Sequence, residues 1–152
     1  MFNIDKILVP TDFSEHSDLA LKRAIDLAEA CQAKIYLAYV APDAPDIFKL
    51  SKYVEEGRKK IQEESEKKCK ELFINQIAKY PDAEKVEIET KVLSGSPYKE
   101  ILDFQIKIKA DMVVIGTHGD LPFEGFFFGS TSHKIVRHAT CSVLIVRKQK
   151  YH

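Results

Sequence analysis

The sequence carries no net charge: 23 Lys and Arg balance 23 Asp and Glu over 152 residues. Without an overall field the chain cannot gather a polyanion by long-range attraction, and the sequence offers no local basic patch to do it, so no nucleic-acid partner is expected. Cysteine is scarce. Cys31, Cys69 and Cys141 are odd in number, far apart and without a CxxC pair, which excludes a disulfide framework and points to reduced thiols in the cytoplasm. Long apolar runs are missing too: no stretch approaches the roughly 18 residues of a membrane-spanning helix. The opening MFNIDKILVP has no basic segment followed by a long apolar one, so neither secretion nor a membrane is expected. There is no GxSxG elbow, no GxxxxGK[ST] loop and no cysteine beside a motif partner, and no catalytic residue is nominated. His133 and His138 stand five apart, off a shared helical face, so no zinc site is expected.

What is present is an alternation of apolar runs and amphipathic stretches. With 45% hydrophobic residues the chain can bury one sizeable core, and residues 1–152 are expected to form one domain. Ile4 to Val9, ended by Pro10, suits a strand buried on both faces. After Thr11-Asp12-Phe13, Ser14 can cap a helix with Leu21, Ala24, Ala28 and Cys31 on its apolar side, ending near Gln32. Lys34 to Val40 predicts a second strand, and APDAPD a loop. Tyr53 to Ile77 predicts a helix with Val54, Ile61, Ser65, Cys69, Leu72 and Ile77 as its stripe. Between Val86 and Val92 charges alternate with apolar residues, the pattern of an edge strand. A third helix opens at SGSP, with Ser96 as cap and Pro97 in its first turn. Asp111 begins DMVVIG, Gly129-Ser130 opens a short helix to about His138, and Ser142 to Arg147 predicts the last strand, with Cys141 in the core beside it. The order βαβαβαβαβ predicts a doubly wound, five-stranded parallel α/β sheet of Rossmann-like type with helices on both faces.

Such sheets bind ligands beyond the carboxyl ends of their strands, where strand order reverses. Two turns dominate that rim. One is Pro10-Thr11-Asp12; the other is GTHGDLPFEGFFFGSTS, in which Gly116 and Gly119 are followed by Gly129-Ser130 at a helix start. Glycines let a backbone approach a phosphate, and the amides of a helix N-terminus, with the Ser130 and Thr131 hydroxyls, favour an anion. Glycines near strand ends are also ordinary turn formers. Asp12 has two readings as well, a ligand contact or an Asx-type turn and helix cap. His118 can polarise a phosphate or simply face solvent.

The segments ILVPTDFSEHSDLALKRAIDLAEACQAKIYLAYV and GSTSHKIVRHATCSVLIVR, with the GxxG, nine residues, GS spacing, resemble the universal stress protein family, and the resemblance covers essentially the whole chain. It implies a single-domain, ATP-binding member of the adenine nucleotide alpha hydrolase-like fold, acting in a stress response through an unidentified protein partner. Carried over by position, it implies that Asp12 bonds the ribose hydroxyls and that Pro10 and Thr11 flank it. Val40 would offer backbone to the adenine, Gly116 would lie beside the ribose, and Gly119, Gly129, Ser130 and Thr131, with His118 nearby, would hold the phosphates. The same resemblance implies a homodimer paired through the last strands. Mg or Mn is the candidate metal accompanying ATP. Loops 41–52 and 117–128 are the segments expected to change order with nucleotide.

The insert DLPFEGFFF departs from the family pattern, placing Asp120 and Glu124 where they would repel a triphosphate unless a divalent metal intervenes or the side chains point away. Phe126, Phe127 and Phe128 are expected to plug the core or to face a partner. Two alternatives follow: a dimeric adaptor that has lost nucleotide binding, and a slow ATPase.

Overall fold

A computed structural model describes residues 2–41, 52–117 and 130–149. The elements run β1 (Lys6–Pro10), α1 (Glu15–Cys31), β2 (Lys34–Ala41), α2 (Lys52–Ala78), a 3-10 turn (Pro81–Lys85), β3 (Glu87–Ser94), α3 (Pro97–Ile108), β4 (Met112–Gly116), α4 (Ser130–His138) and β5 (Ser142–Val146). All strand pairs are parallel, in the order β3-β2-β1-β4-β5. β3 is an edge, as its alternating charges require, and β5 is the other.

Side-chain alternation along the strands divides the core in two. Ile7 and Val9 of β1, Ile35 and Leu37 of β2 and Val114 of β4 face α1 and the end of α2. Leu8, Ala38, Val113 and Ile115 face α3 and α4, where Ile101, Phe104 and Ile135 meet them. Each fully buried Ile or Leu contributes about 1.5–3 kcal/mol by leaving water. The central strands therefore read as unbroken apolar runs because both of their faces are covered.

The helix ends follow local rules. Ser14 caps α1, accepting from the Ser17 amide, and Gln32 closes it in the left-handed conformation with its amide on the Ala28 carbonyl. Pro97 sits in the first turn of α3 as expected, but Ser96, at the cap position, makes no side-chain capping bond. Its main-chain carbonyl instead accepts from Glu100 at 3.0 Å. The preceding Gly95 has φ +131°, open to glycine at no steric cost, and its amide reaches the Ala41 carbonyl at 3.3 Å.

Other expectations need correction. Leu21, Ala24 and Ala28 are fully buried on α1, but Cys31, in its last turn, is exposed. In α2 the stripe holds only toward the C-terminus, where Cys69 and Phe73 are buried, while Ser65 is exposed and Ile61 is 59% exposed. Twenty-seven helical residues span about 40 Å, and five- to eight-residue strands are only about 17–27 Å long, so the helix is longer than any strand it could cover by about 13 Å or more. β4 starts at Met112 rather than Asp111, whose carboxylate accepts the amides of Asp5 and Lys6 at 2.9 Å each and ties the strand starts together. β5 ends at Val146. Cys141 is half-buried against the α3/α4 side. Among the described residues, no helix is long and apolar enough to cross a membrane.

Candidate functional site

Strand order reverses between β1 and β4, and a cleft of about 330 Å³ opens at their carboxyl ends. Pro10 and the Ile115-Gly116 pair form its floor, Tyr39 and Val40 of β2 one side, and Pro97 and Ile101 of α3 another. The first turn of α4 closes the rim with Ser130, Thr131 and Ser132. The volume lies within the range of small-molecule sites, about 300–1,000 Å³.

Asp12 enters this cleft from a tight turn. Its Oδ1 accepts from the Ser14 amide at 3.0 Å, from the Ser17 hydroxyl at 3.1 Å and from the Ser14 hydroxyl. Partial burial pushes its pKa up, but the Ser14 side-chain and backbone bonds and the Ser17 bond outweigh that, holding the carboxyl below its usual 3.8. Asp12 is therefore an anion at neutral pH, with Oδ1 committed to the turn. Among the described residues no bond from another residue falls on Oδ2. The turn and ligand readings are thus not exclusive: one oxygen builds the turn and leaves the other open to the cleft.

The turn is strained. Phe13 adopts φ 63°, in the left-handed region, which costs a non-glycine residue about 1–2 kcal/mol. Packing offsets this, because the Phe13 ring lies 5.0 Å from Tyr39 and 5.1 Å, edge-on, from Phe73. Thr11 lines the cleft but its hydroxyl turns beneath the turn, accepting the Phe13 amide at 3.0 Å and lying within donating reach of Gln76 Oε1 at 3.1 Å. Its own amide continues the β1–β2 ladder onto the Ala38 carbonyl at 2.8 Å.

Gly116 sits where β4 passes the first turn of α1. A Cβ there would lie 2.3 Å from the His16 carbonyl oxygen, so the position admits only glycine. Close helix–strand packing demands this residue whatever the ligand does. Opposite, the α4 N-terminus presents hydroxyls and first-turn amides that have no partner within the helix, an arrangement suited to an anion. His118, Gly119 and Gly129, with the insert of residues 120–128, lie outside the described residues. Among the described residues no three His, Cys, Asp or Glu gather to hold a metal.

Sequence reasoning brought Pro10, Thr11, Asp12, Val40, Gly116, Ser130 and Thr131 to this rim, and the structure gathers all seven around one cleft. It missed Ser17, Asp18 and Gln76. The signal was there, since Asp18 falls in line with Leu21 and Ile25, and Gln76 with Cys69 and Phe73, polar residues on apolar stripes. A polar group buried there must have a partner.

A model of the universal stress protein family matches residues 3–147. The chain belongs to the universal stress protein family. Universal stress protein MJ0531 of Methanocaldococcus jannaschii is 34% identical over 145 residues, covering 95% of this chain and 83% of its own length. The universal stress protein UspA from Lactobacillus plantarum superposes with TM-score 0.77 at 23% identity, covering 95% of this chain and 99% of that one. A universal stress protein solved in complex with cAMP gives TM-score 0.64 at 25% identity, with 95% and 97% covered. One from Archaeoglobus fulgidus, in complex with dAMP, also gives 0.64, at 19% identity, with 95% and 98% covered.

Proposed function

We propose that this universal stress protein binds an adenine nucleotide, ATP, in the β1/β4 cleft and works in the cytoplasm as a regulatory stress-response module. The observation that carries the reading is the ionised Asp12, with Oδ2 open, facing a hydroxyl-bearing helix N-terminus across a cleft of nucleotide size. The open oxygen suits the ribose hydroxyls, the half-buried β2 end at Val40 suits an adenine ring, and Gly116, at the end of the neighbouring β4, suits a place beside the ribose. Ser130 and Thr131, with Gly119, Gly129 and His118 of the connecting segment, take the phosphates. Two family members solved with cAMP and dAMP support the adenine-nucleotide class. A Mg or Mn ion accompanying the triphosphate would be held chiefly through phosphate oxygens. β5, an edge strand with half-buried apolar residues, suits the pairing of two copies.

The reading is tested by mass spectrometry of small molecules released on denaturing freshly purified protein, followed by calorimetric titration with ATP and magnesium. Near-stoichiometric ATP, ADP or AMP is expected. An empty protein that also fails to bind ATP would overturn the proposal and favour a nucleotide-independent adaptor.

A further inference from the structure

We propose that Lys134 of α4, held over the Tyr98 ring at the start of α3, is a further ligand-binding residue whose ammonium engages the outer phosphates of the nucleotide and makes the site prefer a triphosphate to a monophosphate. The proposal rests on the nucleotide reading above and adds to it the residue that selects among phosphate chains.

Positive charge is scarce at the cleft. Among the described residues that line it, none is a lysine or arginine, and Asp12 contributes an anion. Between Lys109 and Lys134 the sequence supplies no Lys or Arg at all. Hydroxyls and amides alone leave much of a triphosphate's charge unbalanced. Lys134 follows Ser130 by four residues and Thr131 by three, so it shares their face of α4, about one turn further along. A helical side chain leans toward the N-terminus, over the turn that precedes it. The Lys134 stem therefore runs back over the turn that carries the two hydroxyls. Its ammonium ends 4.2 Å from the centroid of the half-buried Tyr98 ring. Tyr98 is the second residue of α3 and follows Pro97, itself part of the cleft wall. The ammonium is thus tied by its stem to one helix start and by the ring to another, both at the cleft rim. The ring covers one side of the ammonium and leaves N–H donors for an anion. Ordering a free lysine side chain on binding costs about twofold to tenfold in affinity, and the ring has ordered this one beforehand.

The test compares ATP with AMP by calorimetry on the full chain at one fixed magnesium concentration. A hydrogen bond to a charged group is worth about tenfold or more, so the unsubstituted protein should bind ATP at least about tenfold more tightly than AMP. Lys134→Met keeps the stem and removes the charge; it should weaken ATP by about tenfold and AMP by about twofold at most. Lys134→Arg, which keeps the charge and can stack on the ring, should retain the preference. Tyr98→Leu should weaken ATP by about twofold to tenfold, Tyr98→Phe should not, and this pair decides the matter if Lys134→Met does not fold. Lys99→Met removes an equal charge from the exposed position beside Tyr98 and should leave the ratio within about twofold. Equal weakening of both nucleotides by Lys134→Met would show that the lysine only clasps α3 to α4, and an unchanged ratio that it only meets solvent; either overturns the proposal. So does a Lys99→Met effect as large as that of Lys134→Met, which would reveal diffuse charge rather than a placed cation. AMP binding as tight as ATP in the unsubstituted protein also overturns it while leaving nucleotide binding intact. Failure to bind either nucleotide rejects the functional reading itself, and the proposal with it.

Discussion

Replacing Gly116 with alanine adds one methyl group at the tightest helix–strand approach in the cleft. The new Cβ would stand 2.3 Å from the His16 carbonyl oxygen and 2.7 Å from its carbon, against an ordinary contact of 3.4 Å or more, so the first turn of α1 must retreat by about 1.1 Å. The obstructing atoms are backbone, and no rotamer change relieves them. Overpacking of this kind costs about 1–3 kcal/mol. The loss of glycine's freedom in the unfolded chain returns only about 0.4–1 kcal/mol, because an ordinary φ at this position gives alanine no further penalty. A net loss of about 1–2 kcal/mol is expected, equivalent to about 3–8 °C in Tm for a chain of this size. The assay is urea denaturation of the nucleotide-free protein, in which the midpoint should fall with the slope unchanged. The same retreat displaces Ser17, which bonds Asp12, so nucleotide affinity should fall with stability. An alanine variant as stable as the parent would refute the steric argument and leave Gly116 a purely ligand-facing residue.

Asp12→Asn tests the turn through pH. Because the folded pKa of Asp12 lies below its unfolded value near 3.8, its contribution to stability is fully present above that value and is lost as pH falls through the lower folded one. Denaturation midpoints measured from about pH 5 down to about pH 2 should therefore decline less steeply in the asparagine variant; identical acid limbs would contradict the hydrogen-bond assignment. Ile135, 1% exposed, anchors α4 to the α3 side of the sheet. Ile135→Ala should cost about 2–5 kcal/mol and loosen the hydroxyl-bearing helix start, and calorimetry should show weaker ATP binding at a temperature where the variant remains folded.

The sequence by itself determined the element order, the parallel sheet and the placing of seven residues at one rim, for reasons that are local. Apolar runs such as Ile7–Val9 can be satisfied only between two covered faces, and the charge alternation from Glu87 to Lys91 only at an edge. Proline and serine at helix starts act within one turn, which is why the elements fell within a few residues of their expected bounds. Local pattern failed wherever the outcome depended on what lies opposite. The α2 stripe could not reveal that Ile61 and Ser65 are exposed, nor the α1 stripe that Cys31 is. Only the tertiary structure decided that Gly116 is forced by the His16 carbonyl, that Asp12 divides its two oxygens between turn and cleft, and that Gln76 lies beneath Thr11. Those contacts join residues brought together by the crossovers of the sheet, and no periodicity along the chain carries the distance between them.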